Sequence, residues 1–329
     1  MAKRKPSSAR NLNILFTCIG RRVSLLNAFR AAAKSLKIKS QIFGTETTNL
    51  SPALQLCDDS FIVGAVTSRR YISELLSIVR SKHIRLLVPT VDLDLKTLAI
   101  NRDRFAKLGC RVLVSSPRVI DICQDKRKTY RFLVNNGFDT PRTMTPRAAL
   151  ADRKFKGPYF MKPWDGYAGR GNAVINNRKD LVFYAKKVPN PICQELVCGD
   201  EVTCDAYVDF NLRARCVVPR QRLQVRAGEV SKARIVKNPA IMNLTRNLVE
   251  KLGAGPGVIT IQLFRTTDKE IKFIEVNPRF GGGVPLSIKA GANFPKWILQ
   301  ELTGRTPRIP ADGFSDGLTM LRYDSEVWL

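Results

Sequence analysis

Apolar and polar positions alternate in two different ways along the 329 residues, and the change divides the chain. Up to about residue 115, apolar runs at Asn13 to Cys18, Ser40 to Gly44, Phe61 to Val63, Arg85 to Pro89 and Arg111 to Val114 predict strands. Between them apolar residues recur at helical spacing, as in Val23, Leu26, Phe29 and Ala33, and again over Tyr71 to Ser81 and Leu93 to Leu108. Strand and helix in alternation predict a parallel sheet covered on both faces, an α/β unit of Rossmann-like form. A short helix after Pro117 leads to Asp125, placed to cap a helix over Lys126 to Asn135 that Gly137 stops. From Pro141 the period shortens to two. Tyr159 to Lys162, Ala173 to Asn176, Ile192 to Val197, Val202 to Val208 and Arg213 to Val218 read as hairpin strands, so this half predicts α+β architecture with antiparallel sheets and few long helices. The expected units are 12–115, 116–190 and 191–329, behind a basic, disordered tail of residues 1–11.

Three elements of this half carry chemistry. In Ile271-Lys-Phe-Ile-Glu-Val-Asn-Pro-Arg279, alternation puts Glu275 and Asn277 on one face while Ile274 and Val276 turn inward. A two-residue turn at Asp268-Lys269 sets Gln262, in the run Val258 to Phe264, opposite Glu275. Carboxylate and amide oxygens so spaced suit Mg²⁺, which takes few protein ligands and keeps room for phosphate oxygens. An edge hairpin whose polar face meets water is the competing explanation. Upstream, Lys162 closes an apolar strand and is followed by Gly166, Gly169 and Gly171, a flap of backbone N–H groups fit to cover polyphosphate. The spacing is neither Walker A nor a dinucleotide fingerprint. Gln194 and Glu195 end a third strand, Val197 offers a backbone edge, and Glu201 follows the turn at Gly199, where a carboxylate can take ribose hydroxyls.

The order Asp125-Lys126, Lys162 with its glycines, Gln194-Glu195 to Glu201, then Gln262, Glu275 and Asn277 resembles the ATP-grasp superfamily, in particular the branch of the carbamoyl phosphate synthase large subunit and the pyrrolysine-biosynthesis ligase. Phe16-Thr-Cys-Ile-Gly-Arg-Arg-Val23, Val112 to Pro117 and Asn277 to Ser287 share in the likeness, which runs from about Asn11 to the end. The resemblance implies a Rossmann-like pre-ATP-grasp domain followed by the two-subdomain ATP-grasp fold. It implies ATP and Mg²⁺ (or Mn²⁺): Lys126, Lys162 and the loop of Gly169 and Gly171 on the phosphates, Gln194, Glu195 and the Val197 backbone toward adenine, Glu201 on ribose, and Gln262, Glu275 and Asn277 on the metal. Position 262 departs from the acidic residue many members place there, which leaves less negative charge for a second metal. The implied reaction is attack of a substrate carboxylate on the γ-phosphate and capture of the acyl phosphate by an amine. Arg279 is then the first candidate for the oxygens of the transferred phosphoryl group and Arg220 the second. The stretch Val225 to Lys232 is expected to form a closing loop hinged at Gly228, and the run Gly281, Gly282, Gly283 to admit an anion to the backbone.

In the N-terminal unit, Arg21 and Arg22 are candidates for a substrate carboxylate or phosphate, and Thr90, Asp92 and Asp94 leave a strand toward the crevice where such sheets bind ligands. Composition then narrows the chemistry. A single histidine, His83, removes histidine acid–base catalysis, and eight cysteines without a Cys-x-x-Cys spacing argue against a zinc cage. No apolar run approaches the roughly 20 residues of a membrane span, and the start lacks a signal-peptide core, so no membrane partner and a cytoplasmic location are expected. The net charge of +27 is spread along the chain without a nucleic-acid-binding signature. Small carboxylate and amine substrates are therefore the expected partners, nucleic acid is disfavoured though the charge leaves it open, and a homodimer is admissible. Two alternatives to the ligase stand: phosphorylation of bicarbonate or carbamate, and a non-catalytic nucleotide- or polyanion-binding module.

Overall fold

The computed structural model describes residues 11–151, 157–166, 169–226 and 228–329. Its N-terminal sheet has five parallel strands in the order Asp59–Ile62, Ile42–Glu46, Asn13–Thr17, Ile84–Pro89, Arg111–Val112. The central strand shows why both faces are covered. Ile14 and Phe16 pack into one core with helix Val23–Ser35, while Leu15 joins a second core with Tyr71, Leu75, Leu95 and Leu98 of helices Tyr71–Ser81 and Leu95–Lys107. Boundaries differ from expectation by about two residues at strands Ile42–Glu46, Asp59–Ile62 and Arg111–Val112. Asp125 does cap helix Lys126–Asn135, accepting from the Arg127 N–H at 2.9 Å, and Gly137 ends the turn beyond it at φ +75°.

The second half contains a six-stranded antiparallel sheet, Ile271–Asn277, Gly257–Thr266, Gly199–Val208, Ala214–Arg226, Glu229–Ile235, Thr319–Leu321, and a four-stranded one, Thr143–Met144, Pro191–Glu195, Tyr159–Pro163, Ala173–Ile175. The smaller sheet has its own core of Ala149, Tyr159, Met161, Ile175, Leu181, Val188 and Cys193. Because Pro191–Glu195 pairs inside it, we propose that the subdomain boundary expected at 190 falls after Glu195. Helix is more abundant here than the two-residue period suggested. Pro239–Leu252 is capped by Asn238 and closed by Gly253 at φ +70°, and Ile241, Thr245, Leu248 and Leu252 form its buried stripe against the large sheet.

Three local expectations are corrected. Gln262 does face Glu275, but the loop between the strands is longer than two residues: Thr266 N–H reaches the Glu270 carbonyl and Lys269 sits at φ +66°. A bulge between Gln262 and Leu263 on the partner side, at Ile274, restores the register, so Ile274 lines a cavity while Phe273 and Val276 are buried. The stretch expected as a closing loop is the tip of a β-hairpin in which Arg226 pairs with Glu229 and Gly228 takes φ +79°; Ala227 lies outside the described residues, as do residues 1–10 of the basic tail and Tyr167 and Ala168 of the glycine flap. No helix among the described residues is long and apolar enough to cross a membrane.

Candidate active site

One cavity of about 1180 Å³ lies where the three sheets meet. Its floor is a face of the six-stranded sheet, and register explains which side chains occupy it. Glu275, Gln262, Thr203 and Arg220 stand opposite one another across four adjacent strands, and Asn277, Thr260 and Asp205 form the next row. Period-two alternation puts both rows on one face. Glu275, Asn277 and Gln262 line the cavity, and none of the three side chains has a hydrogen bond or ion pair among the described residues. Among the described residues, no group of three or more His, Cys, Asp or Glu is placed to hold a metal ion. One carboxylate and two amide oxygens, uncommitted to protein donors, fit a hard divalent cation that retains other ligands.

Beside them, Asp205 and Thr260 of the second row are engaged with protein groups. Asp205, 0% exposed, accepts from Arg220 Nε at 2.8 Å and Nη2 at 3.2 Å, from Ser287 Oγ at 2.7 Å and from Thr260 Oγ1 at 3.3 Å. Arg220, 2% exposed, is thus a fixed positive charge at the cavity wall. Gly281 and Gly283 are pressed against it, and a Cβ on Gly283 would collide with its guanidinium. Arg222 lines the same wall, bonded to Glu201. Arg279 follows strand Ile271–Asn277 and donates to Asp92 of the N-terminal unit at 3.1 and 2.6 Å. Asp94, by contrast, does not face the crevice. It is buried, takes bonds from Thr17 at 2.6 Å and Tyr71 at 3.1 Å, and burial raises its carboxyl to about 6.

The opposite wall comes from the four-stranded sheet and the helix that Asp125 caps. Lys162, 5% exposed, donates to Gln194 Oε1 at 2.8 Å. Burial pushes its ammonium down to about 8, against the pull of the Glu275 carboxylate. Lys126 binds the Gly166 carbonyl, its own N–H binds the Trp164 carbonyl at 3.0 Å, and Arg127 stacks on Trp164 at 3.8 Å, so the start of the helix is tied to Trp164 and Gly166. Gly169 lines the cavity at φ +69°, a conformation that favours glycine, whereas Gly171, at φ +74°, is not among the lining residues. Gln194, Glu195 and Val197 are not among the lining residues: Gln194 orients Lys162, while Glu195 donates its N–H to the Arg142 carbonyl, accepts from the Arg142 N–H on its carboxylate at 3.2 Å and meets Lys272 at 3.6 Å.

Asp205, Thr203, Thr260 and Glu229 were missed by sequence reasoning, while Thr90 and Asp92 do line the cavity as expected of the crevice. Glu201, Thr203 and Asp205 alternate with Val202, Cys204 and Ala206, and that polar stripe in an otherwise buried strand was the available signal. The pairing of Asp92 with Arg279 gave no signal, because the two lie 187 residues apart.

Two family models match the chain, "PylC-like, N-terminal domain" over residues 14–113 and "ATP-grasp domain" over residues 123–283. The carbamoyl phosphate synthase large chain of Campylobacter jejuni is 26% identical over 206 residues, 57% of this chain and 19% of that protein, so the chain spans about a fifth of the length of this curated relative. Among solved structures, the biotin carboxylase domain of Hydrogenobacter thermophilus 2-oxoglutarate carboxylase, in complex with MgADP, ADP and bicarbonate, superimposes with a TM-score of 0.71 at 15% identity, covering 93% of this chain and 73% of its own. An L-amino acid ligase from Bacillus licheniformis does so with a TM-score of 0.67 at 18% identity, covering 90% and 75%. With its parallel N-terminal sheet, its two antiparallel sheets around one cavity and both family models in order, this chain belongs to the ATP-grasp superfamily and carries a PylC-like N-terminal domain.

Proposed function

We propose that the protein is an ATP-dependent carboxylate–amine ligase that uses Mg²⁺ or Mn²⁺ and forms an amide through an acyl phosphate, acting on a small amino-acid or peptide-like substrate. The observation that carries this reading is the convergence, on one cavity, of Lys126, Lys162 and the glycine loop from one wall with Gln262, Glu275, Asn277 and Arg279 from the other. In this reading Lys126, Lys162, Gly169 and Gly171 hold the ATP phosphates, Gln194, Glu195 and Val197 serve the adenine side, and Glu201 takes the ribose. Gln262, Glu275 and Asn277 would hold the metal, which when bound neutralises charge on the phosphate oxygens.

The residues' own work is electrostatic and positional. Arg279, steered by Asp92, faces the oxygens of the γ-phosphoryl group, and Arg220, locked by Asp205, adds a fixed positive charge. The substrate carboxylate attacks the γ-phosphorus and ADP leaves; the amine then attacks the acyl carbon, loses a proton and expels phosphate. No protein nucleophile is required. The likeness to carbamoyl phosphate synthase supports a second reading, phosphorylation of bicarbonate. Incubating the protein with MgATP and amino acids singly, in pairs, or with bicarbonate separates the two. Ligase activity gives ADP together with a product whose mass equals carboxylate plus amine minus water. ADP formation that depends on bicarbonate alone supports the second reading, and no ADP under any condition overturns both.

A further inference from the structure

Three guanidiniums converge beside the metal-facing strands, and only two have a close carboxylate. Asp92 takes Arg279 at 2.6 Å, and Glu229 takes Arg322 at 3.0 Å. Arg22, at the start of helix Val23–Ser35, is left with the other Glu229 oxygen at 3.9 Å and the Thr90 carbonyl at 3.5 Å. Yet its side chain is only 19% exposed and lines the cavity. Burial, and repulsion from Arg279 and Arg322, push it down to about 10. The backbone is shaped around this group: a Cβ on Gly282 would lie 2.9 Å from the Arg22 Nη1 and 3.3 Å from the Glu229 carboxylate. Three cations against two anions leave one surplus positive charge, largely desolvated and turned toward a cavity. Such a charge is expensive to keep unless an anion binds it.

We propose that Arg22 is the specificity-determining residue for the ligase reaction proposed above, on which this inference rests: it grips a free carboxylate of the substrate other than the one that is phosphorylated, so the substrate pair includes an α-amino acid or another molecule with a second, non-reacting carboxylate. The phosphates of ATP fall to Lys126 and Lys162 on the far wall, and the reacting carboxylate belongs beside Arg279 and the metal-facing oxygens. Arg22 is the remaining unmatched cation of the three, and its planar fork suits two carboxylate oxygens at once. Asp92 and Glu229 nearby match the ammonium of a zwitterion.

The test compares wild type, Arg22→Gln and Arg22→Lys. Thermal unfolding is followed with MgADP present and with each proteinogenic L-amino acid or its α-carboxamide. Wild type gains stability from at least one free amino acid and less from its amide. Arg22→Gln loses that gain, keeps the MgADP effect, and without ligand is as stable as wild type or more so, because a poorly solvated cation is gone. Arg22→Lys keeps part of the gain. In turnover, KM for the same amino acid rises roughly 10- to 100-fold in Arg22→Gln, the usual loss for a charged hydrogen bond, while kcat and the KM for ATP stay near wild type. Arg22→Gln that still prefers acid over amide overturns the proposal, as does wild type that no amino acid stabilises. Turnover with an unchanged KM in Arg22→Gln would refute Arg22 and leave the ligase standing. A carboxylate response that Arg22→Gln abolishes, in a protein forming no ADP, would refute the ligase and leave the Arg22 site standing.

Discussion

Two buried cations face the same cavity from different sheets, and their partners differ. Arg220, on the six-stranded sheet, has the carboxylate of Asp205 in a two-point bond, with Thr260 and Ser287 filling the remaining acceptor sites. Lys162, on the four-stranded sheet, bonds to the neutral oxygen of Gln194, with the Phe160 ring 5.8 Å away, and has no carboxylate partner among the described residues. The first arrangement neutralises its charge within the fold and makes a rigid wall. The second keeps a positive charge under-compensated in low dielectric, which lowers its proton affinity and makes it ready for an external anion. Burial alone therefore says little about the role of a charge at this site; the formal charge of its partner decides how much of that charge is left uncompensated for a ligand.

The largest effect belongs to the floor. Glu275→Gln or Asn277→Ala should lower turnover on the order of 10²–10³-fold, the scale of losing one preorganised electrostatic group, with unfolding temperature unchanged because neither side chain bonds to protein groups. Steady-state ADP formation and thermal melts check it, and wild-type turnover in either variant would remove the metal assignment.

The contrast between the arginines is sharper in stability. Arg220→Ala strands the Asp205 carboxylate and should cost about 3–5 kcal/mol in denaturant unfolding, as for a broken buried pair. Arg279→Ala removes a partly exposed pair and should cost no more than about 1 kcal/mol while still losing turnover. Equal stability losses would erase the distinction between wall and site.

Lys162→Ala should weaken MgATP binding in calorimetry by about 1.5–3 kcal/mol, the value of a charged hydrogen bond. The pH dependence has a definite sign. Burial lowers the folded-state pKa to about 8, below the unfolded value of about 10.4, so between these values the unfolded chain carries more protons and stability rises with pH. ATP affinity should fall over the same rise, as the ammonium is lost above pH 8. Wild type that matches Lys162→Ala in both profiles would show that the lysine is not charged toward the ligand.

The smallest effect concerns the tail. Removing residues 1–10 deletes Lys3, Arg4, Lys5 and Arg10, and should shift elution from heparin to lower salt without changing turnover. A truncated protein that lost ADP formation would tie the basic charge to the substrate instead.

Much of this contrast was legible in the chain where the signal was local. The pairing of Gln262 with Glu275 followed from counting residues, although the loop and the Ile274 bulge reach it by a different route whose two irregularities cancel. The Asp125 cap and the α/β alternation were equally local. What escaped depends on contacts between distant segments. The Arg220–Asp205 bond joins neighbouring strands whose register no motif announces, and Arg279 finds Asp92 only because two domains pack together. Strand Thr319–Leu321, which brings Arg322 to Glu229, is too short to stand out by pattern.

The acyl phosphate is the centre of the account, and isotope transfer tests it most directly. The carboxylate substrate found in the amino-acid screen is labelled with oxygen-18 in both carboxylate oxygens and turned over with MgATP and the amine. If the carboxylate attacks the γ-phosphorus, each released phosphate carries one labelled oxygen and the amide keeps the other. Unlabelled phosphate, released alongside labelled amide, would contradict the mechanism.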